Sequence, residues 1–393
     1  MRAFDTRRMA VTTAILAAAA LVVAGCGDGG DGSGGGNGSG SGDLPAEIKI
    51  VGVHDMTGPV AYAGVGASKG AILAAEEVNE QEFLGPGVKI VVEDVDTAGE
   101  VDTATSEMTK VMADQSVAAI IGPAQSQQAA AVAPLVERAK VPTVFTQAGS
   151  EGVVIGDYTF RATAPIATYY HLAADYLADE GLTDISIIYN ATFVTFAELA
   201  EDVVPALASE RGLNIVDSIS VQASTQDFTS PARAIADRNP DAVLMHLTAP
   251  QAVTFLTQLR QAGYTGQVVG ASMHGGGNIA SAGEHGVGVV YPTDFSPAQQ
   301  NEEARAFVER FRAKYGEDPD VYASDGYDAL WWIARAIKAS GSATREGIME
   351  GLKKVAAEGF VGAKGQLTFE GNDMRVPGVV VRWDGSKETV ISG

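Results

Sequence analysis

Hydroxyl and carboxamide side chains gathered at a strand-to-helix junction are a common way for a protein to hold an oxygen-rich group. The stretch GPAQSQ, residues 122–127, is such a junction. It follows the apolar run VAAIIG (117–122) and leads into SQQAAAVAPLVERA (126–139), whose apolar spacing is helical. Ser126 falls at the start of that helix. The first N–H groups of a helix have no intrahelical partner, and the helix dipole adds partial positive charge, so a docked carboxylate is favoured there. Serine is also a good cap for its own helix, so the residue types alone leave both roles open. A second loop, TQAGS (146–150), follows the strand PTVFT and brings Ala148, Gly149 and Ser150 to the same sheet edge. Ligands of open α/β sheets bind at that edge, and Gly149 permits close backbone approach. A third loop, TGPVAYAG (57–64), offers Tyr62 as a pocket wall or as an exposed loop residue.

Catalytic alternatives have little to build on. No phosphate loop of the Gly-x4-Gly-Lys-Ser/Thr kind occurs. The histidines at 54, 171, 246, 274 and 285 make no His-x3-His or His-Glu-x2-His pair, so neither a metal nor another cofactor is expected. His54 ends an apolar strand beside Asp55 without a paired nucleophile, and strand-end packing or a pocket wall is the preferred reading.

The elements that must position these residues alternate regularly. IKIVGVH (48–54), VKIVVED (88–94), VAAIIG (117–122) and PTVFT (142–146) are short apolar runs separated by helical patterns at 66–80, 100–114 and 126–139. After a Gly-rich loop the alternation restarts, with helices at 166–180, 196–211, 230–238 and 250–262 between strands at 184–190, 214–221, 241–247 and 266–272. This pattern predicts an α/β protein of two doubly wound, parallel-sheet lobes. The tail breaks it, with helices near 299–315, 322–340 and 344–356 and closing strands GQLTFE (365–370) and GVVVRW (378–383). A tail that swings between lobes makes more than one crossover and so forms a hinge. The expected division is a first lobe of 47–165 plus 295–362 and a second of 166–294 plus 363–393.

The N-terminus reads as an export signal. Arg2, Arg7 and Arg8 precede an uncharged, largely apolar run over 9–25, roughly 26 Å long if helical and short for a membrane span. Val23-Ala24-Gly25-Cys26 resembles the lipobox of bacterial lipoproteins, which implies lipidation of Cys26, the chain's only cysteine. Thr6-Arg7-Arg8 resembles a twin-arginine signal only faintly. The expected signal peptide is 1–25, followed by a lipid anchor and tether at 26–46. Residues 27–43 hold ten Gly, three Ser, three Asp and one Asn, a flexible tether with an r.m.s. reach of about 20–25 Å. Without 1–25 the chain carries 24 basic and 48 acidic residues, which argues against nucleic acid and against a polybasic membrane patch.

TGPVAYAG, IIGPAQSQQAAAVAPLVERAKVPTVF (120–145) and SDGYDAL (324–330) resemble signature stretches of the type I periplasmic-binding-protein fold. The nearest group is the leucine/isoleucine/valine-binding lipoproteins of ABC transporters. The resemblance covers 47–393, and the pattern G-P-x-x-S, V-P, A-G-S is specific for the family and not for a ligand. It implies two lobes closing on a small molecule through a three-strand hinge, and delivery to an ABC permease. A ligand sensor that presents its closed form to a signalling partner is the alternative. The resemblance implies a monomeric, exported protein held by lipid at the outer face of the cytoplasmic membrane.

The resemblance also implies site roles. Ser126, beside Gln127, holds a ligand carboxylate, Ala148 gives a backbone contact and Ser150 a hydroxyl. Tyr322 contacts the ligand body, with a core role equally open, and Trp331 and Trp332 read as core. The chain departs from the family in its second lobe. A Tyr expected after the strand at 185–189 is replaced by NATFVTFAE (190–198), leaving Phe193 or Phe196 to stack. Amino-acid binders place Glu or Asp near 270–278 to pair with an ammonium, but here the stretch reads GASMHGGGN. Either Asp325 substitutes or the ligand has no α-ammonium. Thr248, Ser272, Met273, His246 and His274 suit hydrogen bonding and apolar contact instead.

Overall fold

The computed structural model describes residues 44–392. The signal peptide, Cys26 and the tether up to residue 43 lie outside them. Strands β1 (Glu47–His54), β2 (Lys89–Asp96), β3 (Val117–Ile121), β4 (Thr143–Phe145) and β5 (Thr159–Arg161) alternate with helices α1 (Ala61–Glu80), α2 (Val101–Ala113) and α3 (Ser126–Ala139). All their pairings are parallel. β3 is buried at every position, as a central strand covered on both faces requires.

The chain then crosses over at 162–165 and builds a second sheet. This contains α4 (Ile166–Asp179), β6 (Asp184–Asn190), α5 (Val194–Glu198), α6 (Val204–Arg211), β7 (Asn214–Val221), α7 (Thr229–Arg238), β8 (Ala242–His246), α8 (Ala249–Gln261), β9 (Gln267–Val269) and β10 (Val290–Thr293). The helix expected at 196–211 starts two residues earlier and passes through a π-helical turn at Leu199–Val203. Pro205 has no N–H for the Glu201 carbonyl, and a wider turn just before it accommodates the missing bond.

A second crossover at 294–301 returns to the first lobe, where α9 (Glu302–Tyr315), α10 (Val321–Ser340), α11 (Arg345–Glu358), β11 (Phe360–Gly362), β12 (Gly365–Glu370) and β13 (Asp373–Arg375) follow. A third, at 376–378, leads to β14 (Val379–Trp383) and β15 (Glu388–Ser392). The strand orders are β11-β12-β13-β5-β4-β3-β1-β2 and β15-β14-β10-β9-β8-β6-β7. One expected boundary is corrected. Residues 363–375 belong to the first lobe, because β12 and β13 form an antiparallel hairpin on its sheet and Asp373 pairs with Arg161 of β5. Only the segment from Val379 joins the second sheet, through β10.

Helices α1 and α10 cross at close range because glycines line the contact. A Cβ on Gly70 would lie 1.9 Å from the Ala323 carbonyl oxygen, and one on Gly326 2.0 Å from that of Ala67. The crossing brings Tyr62 of α1 against Tyr322 of α10, edge to face with centroids 5.6 Å apart. The core of each lobe lies between its sheet and its helices, and Trp332 of α10 is fully buried in the first.

Candidate functional site

A cavity of about 60 Å³ lies between the lobes at the carboxyl ends of their parallel strands. The first lobe contributes Tyr62, Gln125, Ser126, Gln127, Gln147 and Gly149, and α10 adds Tyr322. The second contributes Ile166, Phe193, Thr195, Phe196, Thr248, Ser272 and Met273. The sequence-derived candidates Tyr62, Ser126, Gln127, Gly149, Phe193, Thr248, Ser272 and Tyr322 therefore meet at one place.

Its polar end is built around Ser126. Ser126 is the first residue of α3, one place inside the expected cap position, which Gln125 occupies without a capping side-chain bond. The Ser126 hydroxyl accepts from the Ser150 N–H at 3.1 Å and lies 2.8 Å from the Thr195 hydroxyl of the other lobe. Ser150 Oγ reaches the same Thr195 Oγ1 at 2.8 Å. Asp55, fully buried at the end of β1 and the start of its loop, accepts from Gln125 Nε2 (2.9 Å) and Gln128 Nε2 (2.8 Å). Gln125 Oε1 in turn accepts from Gln127 Nε2 at 2.5 Å. A fixed carboxylate thus orients the carboxamides at the head of α3.

Ala148 and Ser150 stand just behind the cavity. Their carbonyls accept from Arg161 Nη1 at 2.8 and 2.6 Å, and Arg161 Nε donates to Asp373 at 2.8 Å. The guanidinium is fully enclosed and holds the loop in shape from beneath. The apolar end is formed by Phe193 and Phe196, both present with centroids 5.4 Å apart, by Ile166 and Met273, and by the two tyrosines. Tyr62 Oη accepts from the Ala249 N–H at the start of α8, 3.4 Å away. Burial pushes the Tyr62 hydroxyl up to about 12, so it acts as a neutral phenol.

Asp325 is a correction. It is fully buried, does not line the cavity, and is ion-paired to Lys364. It is not free to meet a ligand ammonium. Among the described residues lining the cavity, none is acidic. His246 and His274 are turned into the second lobe, the first against Tyr170 Oη (2.6 Å) and the second against the Leu247 carbonyl (2.9 Å). Burial depresses them to about 3 and about 4, so both are neutral. His54 is buried at its strand end, 3.9 Å from Asp94. Gly66-Ala67-Ser68-Lys69-Gly70 has the lettering of a nucleophile elbow, but Ser68 lies inside α1 and donates to Asp94 at 2.5 Å. Among the described residues no cluster of three or more His, Cys, Asp or Glu is arranged to hold a metal. No described helix is long and apolar enough to cross a membrane.

Thr195, Gln147, Arg161 and Lys364 were not singled out from sequence. Thr195 had a signal, since it lies between the two phenylalanines already weighed in NATFVTFAE. Arg161 and Lys364 had none, because Arg161 works on backbone carbonyls and on the distant Asp373, and the carboxylates around Lys364 come from other elements.

Two α/β lobes, three crossovers and a cleft lined from both sides define a hinged solute-binding protein. The family model described as "Periplasmic binding protein" matches residues 47–388. The chain belongs to that family. A curated relative, Leu/Ile/Val-binding protein homolog 7 of Brucella abortus, is 26% identical over 334 residues, covering 79% of this chain and 78% of the relative. The leucine-binding protein LivK of Thermotoga maritima superposes with a TM-score of 0.80 at 25% identity, covering 88% of this chain and 98% of that one. The same fold, at 21% identity and TM-score 0.81, is found in a solute-binding protein of R. palustris solved with benzoate, with 88% and 96% covered.

Proposed function

We propose that the chain is the extracytoplasmic receptor of an ABC importer, held to the outer face of the cytoplasmic membrane by lipid on Cys26. It captures one small carboxylate- or amide-bearing molecule with an apolar or aromatic body and hands it to a membrane permease. The head of α3, Ser126, Gln127, Ser150 and Thr195 receive the oxygen-rich end. Phe193, Tyr62 and Tyr322 enclose the body, Thr248 and Ser272 offer side hydrogen bonds, and Gly149 allows close approach beside the Ala148 backbone.

The observation that carries this reading is the absence of any acid among the described residues lining the cavity. A buried ammonium without a carboxylate costs several kcal/mol, on the order of 3–5 when one partner of a buried pair is missing. Branched-chain amino acids, named for the Brucella and Thermotoga relatives, carry that ammonium. Benzoate, bound in the R. palustris protein, does not. A cavity of about 60 Å³ is smaller than the roughly 150 Å³ that holds a benzene, so entry requires the lobes to part. Hydrogen bonds between lobes at Thr195 and Tyr62 then re-form around the ligand.

A thermal-shift panel of amino acids, amides and aromatic and aliphatic carboxylates tests the reading. Stabilisation by carboxylates or amides lacking an α-ammonium is expected. A response confined to leucine, isoleucine or valine overturns the ligand class.

A further inference from the structure

The first two crossovers meet at one buried ammonium. Lys364, in the turn between β11 and β12, has its side chain fully enclosed. Its Nζ donates to Asp294 Oδ2 at 2.7 Å, to the Ala162 carbonyl at 3.2 Å, and to Asp325 Oδ1. Ala162 begins the first crossover and Asp294 the second. Thr163, the next residue of the first crossover, donates to the same Asp294 Oδ2 at 3.0 Å. Asp325 belongs to α10 of the first lobe. Asp328, one turn further along, accepts from the Ala363 and Lys364 N–H groups at 2.6 and 3.4 Å.

One ammonium thus faces three carboxyl groups in a region without water-exposed side chains. Burial works against the Lys364 charge, but Asp294, Asp325 and Asp328 outweigh it and hold the ammonium protonated. Burial raises Asp328 to about 6. Such clusters contribute little net stability compared with apolar packing of the same volume. This one sits where two connecting segments touch.

We infer that Lys364 is the pin of the hinge, tying the first and second crossovers to each other and to α10 so that they open together rather than separately when the lobes part. It acts as a positioning residue, since it touches no part of the cavity. The third crossover packs on the second-lobe elements that adjoin the other two: a Cβ on Gly378 would lie 2.9 Å from Tyr169 Cβ of α4 and 3.2 Å from the Thr293 carbonyl oxygen at the end of β10. Tyr169 also donates to Ser272 Oγ at 3.3 Å, which links this region to the cavity wall. The inference rests on the proposal that the lobes part and close.

The test is hydrogen–deuterium exchange on the full chain without ligand, comparing wild type, K364M, D325N and K364M/D325N. For K364M, exchange at 162–164 and 294–296 should accelerate about tenfold while β1 and β6 keep their protection. D325N preserves an acceptor for the ammonium and should stay within about twofold of wild type. If K364M does not fold, the double variant, which removes one charge of each sign, carries the same comparison. Unchanged exchange at both crossovers overturns the inference. So does a uniform acceleration across the whole first lobe, which marks a merely structural role. No ligand enters these measurements, so their outcome is separate from the thermal-shift test of ligand class.

Discussion

Ser126 Oγ and Thr195 Oγ1 lie 2.8 Å apart, although one stands at the head of α3 in the first lobe and the other on α5 in the second. Ser150 Oγ adds a second bond to the same Thr195 hydroxyl. A threonine is therefore the point at which the second lobe meets the polar end of the cleft. Thr195→Val keeps the shape and removes the hydroxyl. Its ligand affinity should fall about tenfold, the worth of one or two hydrogen bonds of about 1 kcal/mol each. Titration calorimetry of the variant reads this directly, and an undiminished affinity would remove Thr195 from the binding account.

The missing acid can be put back. Ser272 is buried, lines the cavity, and occupies the stretch in which amino-acid binders of the resembled group carry a carboxylate. Ser272→Asp should weaken binding of simple carboxylates by placing two like charges in one cleft, and should admit leucine. A competition assay between leucine and its deaminated analogue measures the switch. If the variant gains no amino-acid binding, the missing acid is not what excludes the ammonium.

Asp320 gives a pH prediction. It caps α10 by accepting from the Ala323 N–H at 2.9 Å, and it meets Asn278 Nδ2 of the second lobe at 3.4 Å. Burial raises it to about 6 from an ordinary 3.8, against the pull of those two bonds. The folded state thus prefers the protonated form. Its stabilising contribution is complete below about pH 4 and is lost as pH rises through about 6. Asn caps a helix as well as Asp and never ionises. Asp320→Asn should therefore be more stable than wild type at about pH 8, by about 1–2 kcal/mol after allowance for partial exposure, and equal to it at about pH 4. Denaturant unfolding at the two pH values checks the sign, and a variant less stable than wild type at the higher pH contradicts it.

Gly326 tests the packing that brings the tyrosines together. A methyl group there meets the Ala67 carbonyl oxygen at 2.0 Å, so α1 and α10 must separate. Gly326→Ala should cost about 1–3 kcal/mol in thermal or denaturant unfolding. It should also weaken ligand binding, because Tyr62 and Tyr322 ride on those two helices. A variant of full stability would show that the crossing tolerates separation.

Much of this architecture was legible from residue order. β1 to β4 and β6 to β9 announced themselves as apolar or alternating runs between helical patterns; inner strands such as β1, β3 and β8, covered on both faces, need continuous Val, Ile and Ala. β5, β10, β11, β13 and β15 were not legible, being short segments defined by pairing rather than by an apolar run between helical patterns. The same cause misplaced the boundary at 363, since the partner of β13 is β5, more than two hundred residues away. In the site, Ser126, Gly149 and Tyr62 could be picked out because loops at the carboxyl ends of parallel strands converge. Asp325 was misjudged for a physical reason: a lone acid on a helix says nothing of the lysine that neutralises it, and Lys364 arrives from a turn 39 positions later. Arg161 escaped notice in the same way, because its work is done on the carbonyls of Ala148 and Ser150 and on Asp373.

The central claim is that the cleft receives an oxygen-rich head and an apolar body without an α-ammonium. The most direct measurement is calorimetric titration of the full chain with two matched pairs: 4-methylpentanoate against L-leucine, and 3-phenylpropanoate against L-phenylalanine. Each pair differs in the ammonium alone. At least one deaminated acid should bind about 100-fold more tightly than its amino acid, the factor expected from about 3 kcal/mol of unpaired buried charge. Tighter binding of leucine or phenylalanine than of its deaminated partner would contradict it.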